Sequence, residues 1–102
     1  MTAPPEQPPA AMLRLFGDID LATADDVVAR GANLLTHRPP GVPLIVDLGE
    51  VTFLDSSGLS ALVRLRRAAE AQGSQVLLRD VPQRVTVLLE LAGLAEYFPT
   101  SN

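Results

Sequence analysis

The tetrad Asp55-Ser56-Ser57-Gly58 puts a carboxylate, two hydroxyls and a glycine immediately ahead of the helical pattern "LSALVRLRRAAE". Hydroxyls at a helix start can serve two ends. A serine there accepts a hydrogen bond from a backbone N–H that has no partner within the helix, a contribution of about 1 kcal/mol. It can equally present its oxygen to a kinase, because free amides and the helix dipole tolerate the −1.5 to −2 units of charge, roughly, that a phosphate adds. Asp55 alone could cap the helix, so two further hydroxyls exceed that need. Gly58 is a poor helix former, disfavoured by ~1 kcal/mol relative to alanine in a helix interior. Its missing side chain is expected to open the backbone to an incoming active site. Capping and modification are compatible readings of Ser56.

Other chemistries find less support. "DSSGLS" lacks the Gly-x-Ser-x-Gly elbow of a serine hydrolase, and His37, the only histidine, sits beside Arg38 where a cation favours a helix C-terminus. Its role is expected to be structural or solvent-exposed. All eight basic residues are Arg, which removes a P-loop lysine, Schiff-base catalysis and the lysine of a phosphoacceptor-aspartate receiver. Asp18, Asp20, Asp47 and Asp55 could gather at one sheet edge and hold a hard cation weakly; the expectation is instead turns and solvated surface, with no metal and no cofactor. Arg64, Arg66 and Arg67 form a basic run too short to suggest nucleic acid, read as a solvated helix face or a contact for an acidic partner.

Composition narrows the class. A chain of 102 residues without cysteine is one domain able to bury a core without disulfides. A net charge of −4 argues against non-specific binding to nucleic acid or anionic membrane, and aromatics at 4% leave little for base stacking. A protein partner fits better. The opening "MTAPPEQPPA" lacks the basic and apolar regions of a signal peptide, and no apolar run approaches the ~18 residues of a membrane span; the expected location is cytoplasmic. Four prolines in those ten residues predict an extended or disordered arm over residues 1–11, or a Pro-rich ligand segment, ahead of a globular domain at 12–102.

The elements that must position the tetrad alternate. "MLRLFGDID" reads as a strand ending in an acidic turn from Gly17 to Asp20. Thr23 is placed to cap a helix with Asp25 and Asp26 in its first turn and Val27, Val28, Leu34 and Leu35 inward, stopped by "RPPGVP". "LIVDL" reads as a strand buried on both faces. The helix after the tetrad has Leu59, Leu62, Val63, Leu65 and Ala69 on one stripe and stops at Gly73. "QVLLRD" is a further strand. Pro82 is predicted at the first position of a last helix lined by Val85, Leu88, Leu89 and Ala92, and "LAEYFP" closes as a short strand or turn. The order β-α-β-α-β-α implies a parallel or mixed sheet with right-handed crossovers.

Three stretches in this order, "GDIDLATADDV" (17–27), "LIVDLGEVTFLDSSGLSALVRL" (44–65) and "LLELAGLAEYF" (88–98), together resemble the STAS domain, the fold of bacterial anti-sigma factor antagonists. The resemblance runs from about Met12 to Phe98. It implies an α/β fold with a mixed sheet of about four strands and helices packed on one side. It also implies a non-enzymatic binding module, phosphorylated on the hydroxyl after the motif's Asp by a partner that is both serine kinase and anti-sigma factor. The bare form binds that kinase and frees the sigma factor, and the phosphorylated form is released, with a phosphatase as a further partner. On this chain the acceptor falls at Ser56, with Ser57 the alternative; Asp20 matches an acid beside the acceptor, Asp55 the motif's acid, and Asp20, Asp55, Ser56, Ser57, Gly58 and Leu59 form the partner-binding set. Members of the family usually begin with an edge strand. The Pro-rich arm stands in its place, so the sheet is expected to lack that strand and to leave an edge for a partner or second copy to cover. Two other functions compete with this one: a never-phosphorylated STAS subunit of a stable assembly, such as a lipid-transport complex or sensory scaffold, and a small hydrolase or phosphotransferase built on the Asp cluster, which the lack of Lys and of a nucleotide loop disfavours.

Overall fold

The computed structural model describes residues 10–101. Along β1 (Ala11–Ile19), strand alternation sends Ala11, Leu13 and Leu15 to a buried face and Arg14 and Phe16 to an exposed one. The same alternation buries Leu44, Val46 and Leu48 of β2 (Leu44–Leu54) and Val76 and Leu78 of β3 (Val76–Arg79). The strands pair in parallel in the order β1-β2-β3. Successive parallel strands need crossover helices, and right-handed crossovers running in one direction place α1 (Ala24–Thr36) and α2 (Ser56–Glu70) on a single face. That face is the buried one: Val27 and Leu35 of α1 and Ala61, Leu62, Leu65 and Ala69 of α2 join the strand residues in one core. The two helices approach closely at Gly31, where a Cβ would overlap the Leu65 side chain.

The expected fold class is what forms, and without an edge strand the described residues hold three strands, all parallel. β3 is not left bare: its Leu78 N–H donates to Pro99 O at 2.9 Å and its carbonyl accepts from Ser101 N–H at 2.8 Å, bridging Thr100 to Leu78 after α3 (Gln83–Leu91) and a 3-10 turn over Ala95–Tyr97. Of the predicted arm, residues 1–9 lie outside the described residues, and Ala11 already belongs to β1.

Four local expectations are corrected. β1 does not turn at Gly17; that residue takes φ +71°, and register shifts on either side of it let the strand bend and still pair as far as Ile19 with Leu54. β2 does not stop at Leu48 and is not buried on both faces, since Ile45 and Asp47 are only half-buried where no helix covers them. Thr23 precedes α1 but makes no side-chain cap. Pro82 is extended (ψ 149°) and stands just before α3 rather than inside its first turn.

Candidate functional site

Because Ile19 and Leu54 are partners in parallel strands, Asp20 and Asp55 leave the sheet side by side at its carboxyl edge, where open α/β folds build their sites. Asp55 N–H donates to Ile19 O at 3.4 Å, tying the start of α2 to the end of β1. The Asp55 backbone is extended, and its Oδ1 accepts from Ser57 N–H at 2.9 Å and Gly58 N–H at 3.2 Å. Asp55 is therefore the cap. Ser56, expected as a capping residue, is instead the first residue of the helix proper, exposed, while Ser57 is half-buried. The cap bonds use neither serine hydroxyl, and among the described residues neither hydroxyl makes a hydrogen bond. Replacing Asp55 with Ala should lower stability by about 1 kcal/mol, whereas Asn should retain most of it; urea unfolding midpoints of the two variants check this, and equal midpoints would remove the cap from the account.

Gly58 has a role that the sequence suggested for the wrong reason. It is buried, and a Cβ there would lie 2.6 Å from Leu54 Cγ and 2.7 Å from Ile19 O. Its missing side chain admits the ends of β1 and β2 against the helix and does not open backbone to solvent. Leu59 is half-buried and packs on the core, leaving Ser56 as the exposed member of the tetrad.

Asp20 organises the turn into α1. Its Oδ1 accepts from Ala22 N–H at 3.0 Å, and its carbonyl accepts from Ala24 N–H at 2.8 Å. The Thr23 hydroxyl accepts from Asp20 N–H at 3.0 Å and lies 3.0 Å from the Asp18 carbonyl and 3.3 Å from Asp20 Oδ1, one of which takes its proton. Thr23 is thus turned back toward β1, which explains why it does not cap α1. The other acids are scattered: Asp18 accepts from the Thr52 hydroxyl at 3.0 Å, and Asp47, further down β2, accepts from Gly49 N–H at 2.9 Å and faces Arg14 at 3.9 Å. Among the described residues no three His, Cys, Asp or Glu side chains come together as a metal site, and no helix is long and apolar enough to cross a membrane.

Two depressions meet at Ser56. One is polar, with Ser57, Ser60 and the 3.0 Å pair Arg64–Asp25, and is edged by Leu21. The other is apolar, formed by Phe53, Leu54, Val87 and Leu88, with Arg84 at its rim donating to Thr52 O at 2.6 Å. Phe53, Arg84 and Val87 carried no signal in the sequence. They gather because β3 pairs only with residues 44–47 of β2, and α3 takes its place beside the rest. The basic run is divided as well: Arg64 pairs across to α1, whereas Arg66 bonds Glu70 at 3.0 Å and stacks 4.4 Å above the Tyr97 ring.

A family model described as "Mlab, STAS domain" matches residues 3–99. The anti-sigma-B factor antagonist of Listeria monocytogenes is 30% identical over 86 residues, spanning 84% of this chain and 74% of that protein. The anti-sigma F factor antagonist of Paenibacillus polymyxa is 27% identical over 88 residues, spanning 86% of this chain and 74% of that one. Among solved structures, the anti-sigma factor antagonist SpoIIAA in its unphosphorylated form superposes with a TM-score of 0.71 at 22% identity, covering 89% of this chain and 78% of that chain.

Proposed function

The chain belongs to the STAS domain family, and from that membership we propose that it is a non-enzymatic anti-sigma factor antagonist switched by phosphorylation at Ser56. The bare protein binds an anti-sigma factor that is also a serine kinase, and the sigma factor goes free. In the modification step the γ-phosphoryl of ATP passes to Ser56 Oγ, the bond to ADP breaks, and the hydroxyl proton goes to a base of the kinase. The observation that carries this reading is the placement of Ser56: exposed, first in α2, with Asp55 supplying the cap bonds that would otherwise occupy a serine. Ser57, half-buried, is the weaker acceptor.

The consequence of the charge follows from the surroundings. The positive end of the α2 dipole favours an added anion, and the cap bonds of Asp55 do not involve the Ser56 hydroxyl, so the fold survives modification. Asp55 beside it, and Asp20 at the neighbouring strand end, raise the local negative charge further. A partner surface fitted to a neutral hydroxyl would then meet a dianion across a desolvated contact, and the complex dissociates without a large change of shape. The relatives named as antagonists of anti-sigma-B and anti-sigma F factors support the partner class.

Incubation with ATP and the anti-sigma factor kinase of the source organism, followed by mass spectrometry, tests the proposal. Phosphate is expected on Ser56 and should disappear in Ser56→Ala while Ser57→Ala still accepts it. Phosphate confined to Ser57 would move the switch by one residue. A second reading is a STAS subunit of a stable assembly that is never modified, and stable binding with no phosphate on either serine would favour it.

A further inference from the structure

Three exposed apolar side chains ring the proposed acceptor: Leu21 at 82% exposure on one side, Phe53 at 49% and Val87 at 41% on the other. Leu21 stands alone beside a polar hollow. Phe53 and Val87, with Leu54 and Leu88, instead wall a groove of about 620 Å³ that Asp55 and Ser56 themselves complete. Its origin is topological, since β2 continues seven residues beyond its last pairing with β3 at Asp47 and α3 leans on that free portion through the bond from Arg84 to Thr52 O. A helix cannot fill a sheet edge as a strand would, and the gap between them is apolar.

We propose that this groove holds an apolar anchor of the kinase that modifies Ser56, an aliphatic or aromatic side chain seated on Phe53, Val87 and Leu88. The inference rests on the phosphoswitch reading, and what ties the groove to that partner is continuity, because Ser56 is both the acceptor and part of the wall. A protein that closes over the Ser56 hydroxyl must also cover the ground beside it, and buried apolar anchors of this kind carry a disproportionate share of interface energy. A second copy of this chain seated there would hide the acceptor from the kinase. The other guanidinium donors of Arg84, unpaired among the described residues, add a place at the rim for a carboxylate or carbonyl of the partner.

The test uses the whole chain with the anti-sigma factor kinase in its ADP-bound state, by calorimetry, and with ATP for phosphorylation rates. Val87→Asp should weaken binding at least tenfold and raise the KM for the protein substrate while kcat and the phosphorylated residue stay as in wild type. Leu91→Asp, on the same helix at 80% exposure but outside the groove, should bind as wild type, and the thermal midpoints of both should confirm folding. Phe53→Ser provides a second lesion from β2. Wild-type affinity in both Val87→Asp and Phe53→Ser, or an equal loss in Leu91→Asp, overturns the groove while leaving the phosphoswitch intact. A wild-type protein that takes no phosphate yet loses its partner on Val87→Asp overturns the phosphoswitch and keeps the groove. A dimer in sedimentation that Val87→Asp dissolves would assign the groove to a second copy and overturn the proposal.

Discussion

Gly58→Ala should lower the thermal midpoint by on the order of 10 °C, equivalent to about 1–3 kcal/mol for a domain of this size. Alanine is the better helix former, so propensity alone predicts a gain of up to ~1 kcal/mol. The packing decides against it. The added methyl would lie 2.7 Å from Ile19 O and 2.6 Å from Leu54 Cγ, and the first of these is backbone, held in a strand that pairs Ile19 with Leu54. Relief requires α2 to move off the strand ends, which would also stretch the bond from Asp55 N–H to Ile19 O. Differential scanning calorimetry measures the loss. Phosphorylation of the folded variant, well below its midpoint, supplies the control: if stability is unchanged and phosphorylation alone collapses, Gly58 acts through access to the backbone and the packing account is wrong.

Gly58 illustrates what the sequence could and could not convey. A glycine inside a helix start is visibly costly, so the position announced a constraint, yet one chain of letters cannot say whether the vacant space faces solvent or a neighbouring strand. The core of α2 was legible for the opposite reason. Leu62, Leu65 and Ala69 recur at helical spacing, and burial follows directly from that period. β2 was legible only as far as Leu48, because Gly49 and Glu50 break the alternation just where the register with β1 slips between Arg14 and Phe16. The cap was ambiguous because Asp55 and Ser56 are both good capping types, and only the extended backbone of Asp55 separates them. The apolar groove left no local trace, since it depends on how far β3 reaches along β2, a tertiary quantity.

That topology bears on why the proposed modification at this place would not harm the fold. The tetrad is anchored below by Gly58 against two strand ends and sideways by the carboxylate of Asp55. Neither anchor passes through the Ser56 hydroxyl. Charge added there changes what a partner meets and leaves untouched what holds the helix.

Ser56→Glu should therefore fold like wild type and lose affinity for the anti-sigma factor kinase by roughly 100-fold, which corresponds to about 3 kcal/mol. The carboxylate introduces one negative charge where phosphate would introduce up to about two, so authentic phosphorylation is expected to weaken binding further still. Ser56→Ala separates charge from shape. It removes the acceptor yet keeps a small neutral surface, and its affinity should stay within a few-fold of wild type. The loss in Ser56→Glu should respond only weakly to salt, because a charge enclosed by an interface is screened far less than one in solvent. Titration of the three proteins into the kinase at low and high ionic strength measures both effects. Equal weakening by Ala and Glu would mean that the hydroxyl itself is the contact, and Glu binding as tightly as wild type would overturn release by charge.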